Sequence, residues 1–443
     1  MKETPIDASI VNEKITRSGL TNVGRASIRE IRTLINEIEQ ASGKKFIRME
    51  MGIPGLPAAQ IGIDAEKAAL DGGCASFYPS IEGIPELKVE ISRLIKLFVD
   101  IDVSPRGCIP CTGSTSGSFI SFLVAGRMNP EKDTVLFLDP GFPVHKQQLN
   151  VLGIKQTSLD VYEYRGEALR EALENILREG NISSILYSNP NNPTWICFTD
   201  TELRIIGELA TKYDVVVMED LAYFTMDFRK DYSIPGRPPF QPSVGKYTDH
   251  YILLISSSKA FSYAGQRIGV IAVSNALFER DVPTLNRYYT QTKFGLAAIY
   301  GAAYAVSAGV THSAQYGLAA LLKATNDATY RFIDDVKIYG ERAKVMKKDF
   351  LDNGFYIVYD KDEDEPIADG FYFTVAYPGL TGEELITELM PYGISAISLS
   401  NTGSKRLEGI RACVSLVSDE QLPELRERLA LFHKNQGAGW SPH

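Results

Sequence analysis

Short apolar runs alternate with amphipathic stretches through the middle of the chain. "DTVLFLD" (133–139), "ISSILYS" (182–188), "YDVVVMED" (213–220), "YILLIS" (251–256) and "RIGVIAV" (267–273) read as strands. They are mostly apolar on both faces, as a sheet covered on both sides requires. Between two of them, "FTDTELRIIGELATKYD" has a helical period. Thr199 and Glu202 predict a capping box at its start, and Leu203, Ile206 and Leu209/Ala210 form its apolar stripe. Strand–helix–strand repetition predicts an α/β domain with a mainly parallel sheet. Ligands in such sheets sit beyond the carboxyl ends of the strands.

From about residue 330 the pattern changes. "TYRFIDDVKIYGERAKVMKKDFLDNGF" predicts one long amphipathic helix ended by Asn353-Gly354. "IVYD", "GFYFTVAY" and "GIRACVSL" alternate like antiparallel strands, with "GEELITELM" and "DEQLPELRERLALFHK" as helices. The helix in "GRASIREIRTLINEIEQASG" is expected to join this part, because the strand-like "FIRMEMG" follows it at once. The expected division is a large α/β domain over 50–328 and a smaller α+β domain from 1–49 and 329–443. "DKDEDE" (360–365) reads as a solvated hairpin tip, and "NQGAGWSPH" (435–443) as a loose end.

Composition narrows the function. Of 443 residues, 44% are apolar and 23% charged, with a net charge of −9. That is an ordinary globular balance, and it argues against nucleic acid as a general partner. No apolar run approaches the roughly 20 residues of a membrane span. "MKETPIDASIVNEK" has no apolar leader core, so a cytoplasmic location is expected. Five cysteines do not suggest a disulfide framework, and Cys108 and Cys111 read as strand residues rather than as a redox pair. The five histidines (145, 250, 312, 433 and 443) lack zinc-motif spacing, so no metal is expected.

Polar residues cluster just after the strands. "TGSTSGS" (112–118) precedes the apolar "FISFLVAG"; small residues there let backbone N–H groups reach an anion at a helix start, although a plain helix cap has the same look. It lacks the lysine of a nucleotide phosphate loop. "SNPNNPT" (188–194) aims the Asn192 amide beyond its strand, as an ordinary Asn-Pro turn also would. "VVVMEDLAYF" puts Asp220 at a strand end and Tyr223 three residues on. A buried acid there calls for a positive partner, in a structural ion pair or in a site. Lys259 follows "YILLISSS", and Arg267 lies eight residues further along. A lysine beside a second cation has a lowered pKa and acts as a nucleophile toward carbonyls. Pyridoxal 5'-phosphate is the cofactor that uses such a lysine, as a Schiff base, with an acid near its ring nitrogen and an anion site for its phosphate. Asp220 supplies the acid; Arg267, Ser256, Ser258 and the 112–118 loop supply the anion site.

This set resembles the class I/II aminotransferases, pyridoxal-phosphate enzymes of fold type I, over nearly the whole chain. The resemblance implies the following roles. Lys259 forms the internal aldimine. Gly113, Ser114, Thr115, Ser256 and Arg267 hold phosphate, and Tyr78, in "SFYPSIEGIPELK", reaches the phosphate of a partner subunit. Phe142, in "DPGFPVHK", stacks on the ring. Asn192 and Tyr223 bond the phenolic oxygen, and Asp220 meets the ring nitrogen. Arg411, in "GIRACVS", clamps the substrate carboxylate, with Asn192 and Gly52 beside it. One departure stands out: Trp195 occupies the place after Asn-Pro-Thr where the family usually has glycine. No residue is identified for a second substrate carboxylate, and Arg287 and Lys293 read as surface charge. Phe77, Tyr78, Phe142, Tyr288 and Tyr289 are expected near the site.

The resemblance implies a homodimer that moves an amino group from an L-amino acid to a 2-oxo acid by a ping-pong mechanism. A carbon–sulfur β-lyase or a related elimination enzyme would need the same Lys, Asp and Arg set. A pyridoxal-phosphate-binding regulatory domain ranks last, because the roughly 45 residues before "FIRMEMG" are too few and too balanced in charge for a DNA-binding module.

Overall fold

The computed structural model describes residues 3–437. Seven strands form the main sheet: β1 Cys108–Cys111, β2 Thr134–Asp139, β3 Lys155–Asp160, β4 Ile182–Ser188, β5 Val216–Leu221, β6 Tyr251–Ser256 and β7 Gly269–Val273. Their order is β1-β7-β6-β5-β4-β2-β3. The pairs from β6 to β3 are all parallel. β7 alone is reversed, antiparallel to both β1 and β6. Every position of β4, β5 and β6 is buried, which is why their sequences are mostly apolar on both faces. β3 is an edge strand with an exposed first half, and its polar "KQTSLD" lacks that signature.

Helices carry the chain across the sheet. Ser114–Ala125 leaves β1, and Pro143–Leu152 leaves β2. Asp200–Lys212 joins β4 to β5 and starts at the expected capping box, Thr199 with Glu202. Because parallel strands point the same way, their carboxyl ends gather on one edge, and the loops after β4, β5 and β6 meet there.

A second, antiparallel sheet contains β8 Tyr356–Ile357, β9 Tyr372–Ala376, β10 Ile397–Ser398 and β11 Gly409–Cys413, in the order β10-β11-β9-β8. Its register sets Arg411 opposite Thr374 on one side and Ile397 on the other. Ile47–Arg48 pairs in parallel with Ile394–Ser395, which ties "FIRMEMG" to the C-terminal part. No helix among the described residues is long and apolar enough to cross a membrane. All five cysteines are buried and unpaired.

Three expectations change. The long helix begins at Phe332 and divides into Phe332–Val336 and Ile338–Asp352. Lys337 between them has φ −58° and ψ −24°, values of a tighter 3₁₀ turn. "DKDEDE" is a hairpin, but not a solvated one throughout. Asp362 is buried, accepts from the Cys197 N–H at 3.0 Å, and pairs with Arg165 and Arg229. Of the tail, Asn435, Gln436 and Gly437 finish the helix Leu422–Gly437, and 438–443 lie outside the described residues.

Candidate active site

A cavity of about 420 Å³ opens beyond the ends of β5 and β6. Its walls include Gly52, Ser114, Thr115, Phe142, Asn192, Asp220, Tyr223, Ser256, Ser258, Lys259, Arg267 and Arg411, twelve residues named from sequence. They come from segments as far apart as positions 52 and 411, so the fold itself brings them together.

Lys259 leaves the loop after β6, and its ammonium donates to the carbonyl of Gly52. Burial, reinforced by the nearby Arg411 and Arg267 charges, lowers its pKa to about 8. Asp220, near the end of β5, accepts from the Ala222 N–H at 3.1 Å. Burial raises its pKa to about 7. His145 Nε2 stands 3.8 Å from Asp220 Oδ2 but gives it no charge, because burial drops the imidazole pKa to about 4. Asp220 is therefore a buried acid without an ionic partner of its own.

Arg411 is almost fully buried. It donates from Nη1 to Asn192 Oδ1 at 3.2 Å and from Nη2 to the Glu50 carbonyl at 2.6 Å, while Nε has no partner. The Tyr372 ring lies beneath it, 4.5 Å from Cζ to centroid. The Arg267 guanidinium donates from Nη1 to the Ala264 carbonyl at 3.0 Å, the same oxygen that accepts from its backbone N–H at 3.4 Å. Its Nη2 sits 2.5 Å from where a Cβ at Gly113 would be, so only glycine lets the fork lie against the start of helix Ser114–Ala125. The first N–H groups of a helix lack intrahelical partners, and Ser114 and Thr115, which open this helix, line the same cavity as Arg267.

The remaining expectations divide. Phe142 lines the cavity and meets His145 edge-on, with centroids 5.6 Å apart. Tyr78 does not reach the cavity of its own chain. It is 95% exposed beside Phe77, at 72%, on a separate surface hollow that Ser307 and His312 also line. Tyr288 and Tyr289 do not line the site either: Tyr289 donates to the Leu123 carbonyl, and Tyr288 lies over Arg127. Of the five aromatic residues expected near the site, only Phe142 lines it in this chain. Arg287 packs on Tyr288, and Lys293 pairs with Glu279 at 2.6 Å.

Trp195 is accommodated. It keeps the left-handed φ of +66° that glycine would take easily, and its ring is fully buried. A Cβ at Gly370 would collide with that ring, so the small residue at 370 makes room for the large one at 195. Eight lining residues were not named from sequence, and two of them, His145 and Tyr372, carry polar side chains. His145 lies one helical turn after Phe142, on the same face of Pro143–Leu152, a spacing that could have flagged it. Tyr372 becomes visible only through the β9–β11 register, which puts it two residues before the partner of Arg411.

The fold defines a class, fold type I, shared with solved aminotransferases. Within that class the chain belongs to the aminotransferase class I and II family, whose model matches residues 47–429. It is a pyridoxal-phosphate-dependent aminotransferase. A probable aspartate aminotransferase of Methanocaldococcus jannaschii is 26% identical over 334 residues, 74% of this chain and 82% of that protein. The LL-diaminopimelate aminotransferase of Natranaerobius thermophilus is 27% identical over 327 residues, 73% of this chain and 76% of its own length. The solved alanine aminotransferase of Pyrococcus furiosus shares the fold, with a TM-score of 0.74 at 20% identity over 93% of this chain and 98% of that one.

Proposed function

We propose that this aminotransferase works by a ping-pong exchange between an L-amino acid and a 2-oxo acid, with Lys259 as the amine that bonds the cofactor aldehyde covalently. The observation that carries this reading is the pairing, in one cavity, of a buried lysine of pKa about 8 with a buried acid that lacks an ionic partner. The donor set suits pyridoxal phosphate: an uncompensated carboxylate for a protonated ring nitrogen, and a helix start with a guanidinium for phosphate. When bound, the cofactor supplies an aldehyde that joins to amines and a ring that stabilises negative charge on the attached carbon.

Asp220 would keep a proton on the ring nitrogen, because its charge would be stabilised by a cation placed against it. Arg267 presents a bidentate fork to phosphate, joined by Gly113, Ser114, Thr115, Ser256 and Ser258. Asn192 and Tyr223 would hold the ring oxygen and Phe142 would pack on the ring, all three lining the cavity. Arg411 takes the substrate's α-carboxylate, with Asn192 and Gly52 beside it, and turns the Cα–H toward Lys259. Lys259 Nζ, when a substrate amine has replaced it on the aldehyde, would take the Cα proton as a neutral amine, which a pKa near 8 allows close to neutral pH. Tyr78, exposed on its own subunit, completes the phosphate site of a partner in a homodimer. Residues 1–49 and 329–443 act as the smaller domain over the cavity. Five unpaired thiols suit a cytoplasmic location.

The relatives are named for aspartate, diaminopimelate and alanine. Kinship therefore leaves the substrate open. Beyond the groups already assigned, the wall formed by Ile28, Met51, Ile53 and Pro54 is apolar. The test is a half-reaction. The cofactor-loaded protein, mixed with an amino acid and no acceptor, should release one 2-oxo acid per site and stop. Continuous release of ammonia and pyruvate from cystathionine would instead identify an elimination enzyme.

A further inference from the structure

The acidic hairpin and the departure at Trp195 meet in one place. The hairpin strands Lys361–Asp362 and Glu365–Pro366 lie just ahead of β9, and residues 195–199 continue the turn that carries Asn192. Three contacts join the two segments. Asp362 Oδ1 accepts from the Cys197 N–H at 3.0 Å. The Thr199 hydroxyl donates to the Glu363 carboxylate. The Trp195 ring fills the space that a Cβ at Gly370 would need. Arg165 grips both segments at once, donating to the Cys197 carbonyl at 3.3 Å and to the Lys361 carbonyl at 2.9 Å while pairing with Asp362 and Glu202. Arg229 reaches Asp362 Oδ2 at 2.8 Å and the Pro366 carbonyl at 3.1 Å. Asp362 is thus a buried carboxylate between two guanidiniums, and removing it would leave those cations short of a counter-charge.

The turn between this clasp and the cavity is stiff. The Asn191 N–H donates to the Ile196 carbonyl and the Trp195 N–H to the Asn191 carbonyl, both at 2.9 Å. Asn191 Oδ1 accepts from the Thr194 N–H at 3.1 Å and from its hydroxyl at 2.7 Å. At its near end the turn is tied to β4, where the Asn192 N–H donates to Ser188 Oγ at 3.1 Å. The clasp fixes the far end. A displacement at Cys197 is carried through these bonds to Asn192, since little between them can give.

We propose that the hairpin clasps the 191–197 turn, with Asp362 as the positioning residue that keeps the Asn192 amide on the cofactor's ring oxygen. Asp362 itself lies outside the cavity lining. The proposal rests on the aminotransferase reading above and gives a role to a segment that reading leaves unused.

The experiment reads the pH midpoint of the visible absorbance of the cofactor-loaded protein, without substrate. An amide donor on the ring oxygen stabilises negative charge there, so a slackened Asn192 raises the midpoint. Asp362→Ala should raise it by about 0.5 unit or more. In an Asn192→Ala background the same substitution should move it by less than about 0.2 unit, because the group it acts through is gone. An Asp362→Ala midpoint within about 0.2 unit of wild type, or an equal rise with and without the Asn192 amide, would overturn the proposal. Circular dichroism melting checks that the variants are folded. Should Asp362→Ala melt out, Gly370→Ala presses on the Trp195 ring and disturbs the same turn from its other contact. It should raise the midpoint with Asn192 present and not without it; an unmoved or additive midpoint there would sink the idea. Failure of wild type to convert any amino acid would overturn the transfer reading itself, a result separate from the midpoint cycle.

Discussion

The buried charge of Asp220 has a stability consequence that can be measured without any substrate. In the cofactor-free chain one N–H, from Ala222, stabilises this carboxylate, and the neighbouring His145 is neutral above its pKa of about 4. Burial raises the acid from 3.8 to about 7. The folded-state value lies above the unfolded one, so the folded chain binds the extra proton between these limits. Stability is therefore intact at this site below pH 3.8 and falls as pH rises toward 7. A shift of about 3 units corresponds to about 4 kcal/mol once both states are ionised. Asp220→Asn has the same shape, keeps an acceptor for the Ala222 N–H and carries no charge. Urea unfolding of the cofactor-free protein, at matched protein concentration, is the assay. Near pH 4.5 the two proteins should differ by less than about 1 kcal/mol, and at pH 8 the variant should be the more stable by about 3–4 kcal/mol. The same variant should bind pyridoxal phosphate far more weakly, if the proposed contact between this acid and the cofactor's ring nitrogen holds. Equal stability at pH 8, or a less stable variant, would refute the claim that this acid lacks a partner until the cofactor arrives.

Other expectations follow from the same geometry. Arg411→Gln leaves Asn192 and the Glu50 carbonyl without their donor and removes the carboxylate fork; kcat/KM for amino donors should fall about 10²- to 10³-fold, mainly through KM. Lys259, with a pKa near 8, should react with an amine-directed reagent half-maximally around pH 8 in the cofactor-free protein, as read by peptide mass spectrometry. Its folded value lies below the ordinary 10.5, so its contribution to stability should grow as pH rises from 8 toward 10.5, visible in Lys259→Met as a lost slope. Trp195→Gly should destabilise by about 2–4 kcal/mol in thermal or urea unfolding: a buried indole is lost, and a φ of +66° is relieved. Gly370→Ala should cost about 1–3 kcal/mol in the natural chain and nearly nothing beside Trp195→Gly, because the Cβ would occupy the space the indole vacates.

Much of this architecture is legible in the residues because the central strands have no polar face to disguise them. β4 and β6 stand where "ISSILYS" and "YILLIS" predict them, since burial on both faces leaves runs of apolar and small residues with no charge. The local cap at Thr199 and Glu202 is equally readable, its partners being three residues apart. What stays hidden depends on distance along the chain. Asp362 looks like surface charge because Arg165, Arg229 and the Cys197 N–H, which bury and pair it, lie more than a hundred residues away. Tyr372 looks like one more strand aromatic until register sets it under Arg411. Trp195 shows as a departure in sequence, but its accommodation by Gly370 is a fact of three dimensions. The reversal of β7 has no local signal either, because an apolar strand buried on both faces has the same composition in either direction.

The central claim is that one amine, Lys259 Nζ, holds the cofactor covalently. Borohydride reduction of the cofactor-loaded protein, followed by peptide mapping by mass spectrometry, tests it directly. The account predicts a reduced pyridoxyl adduct on the peptide spanning Lys259 and loss of the yellow absorbance in step with it. An unmodified Lys259 peptide, or the adduct on another lysine, would contradict it.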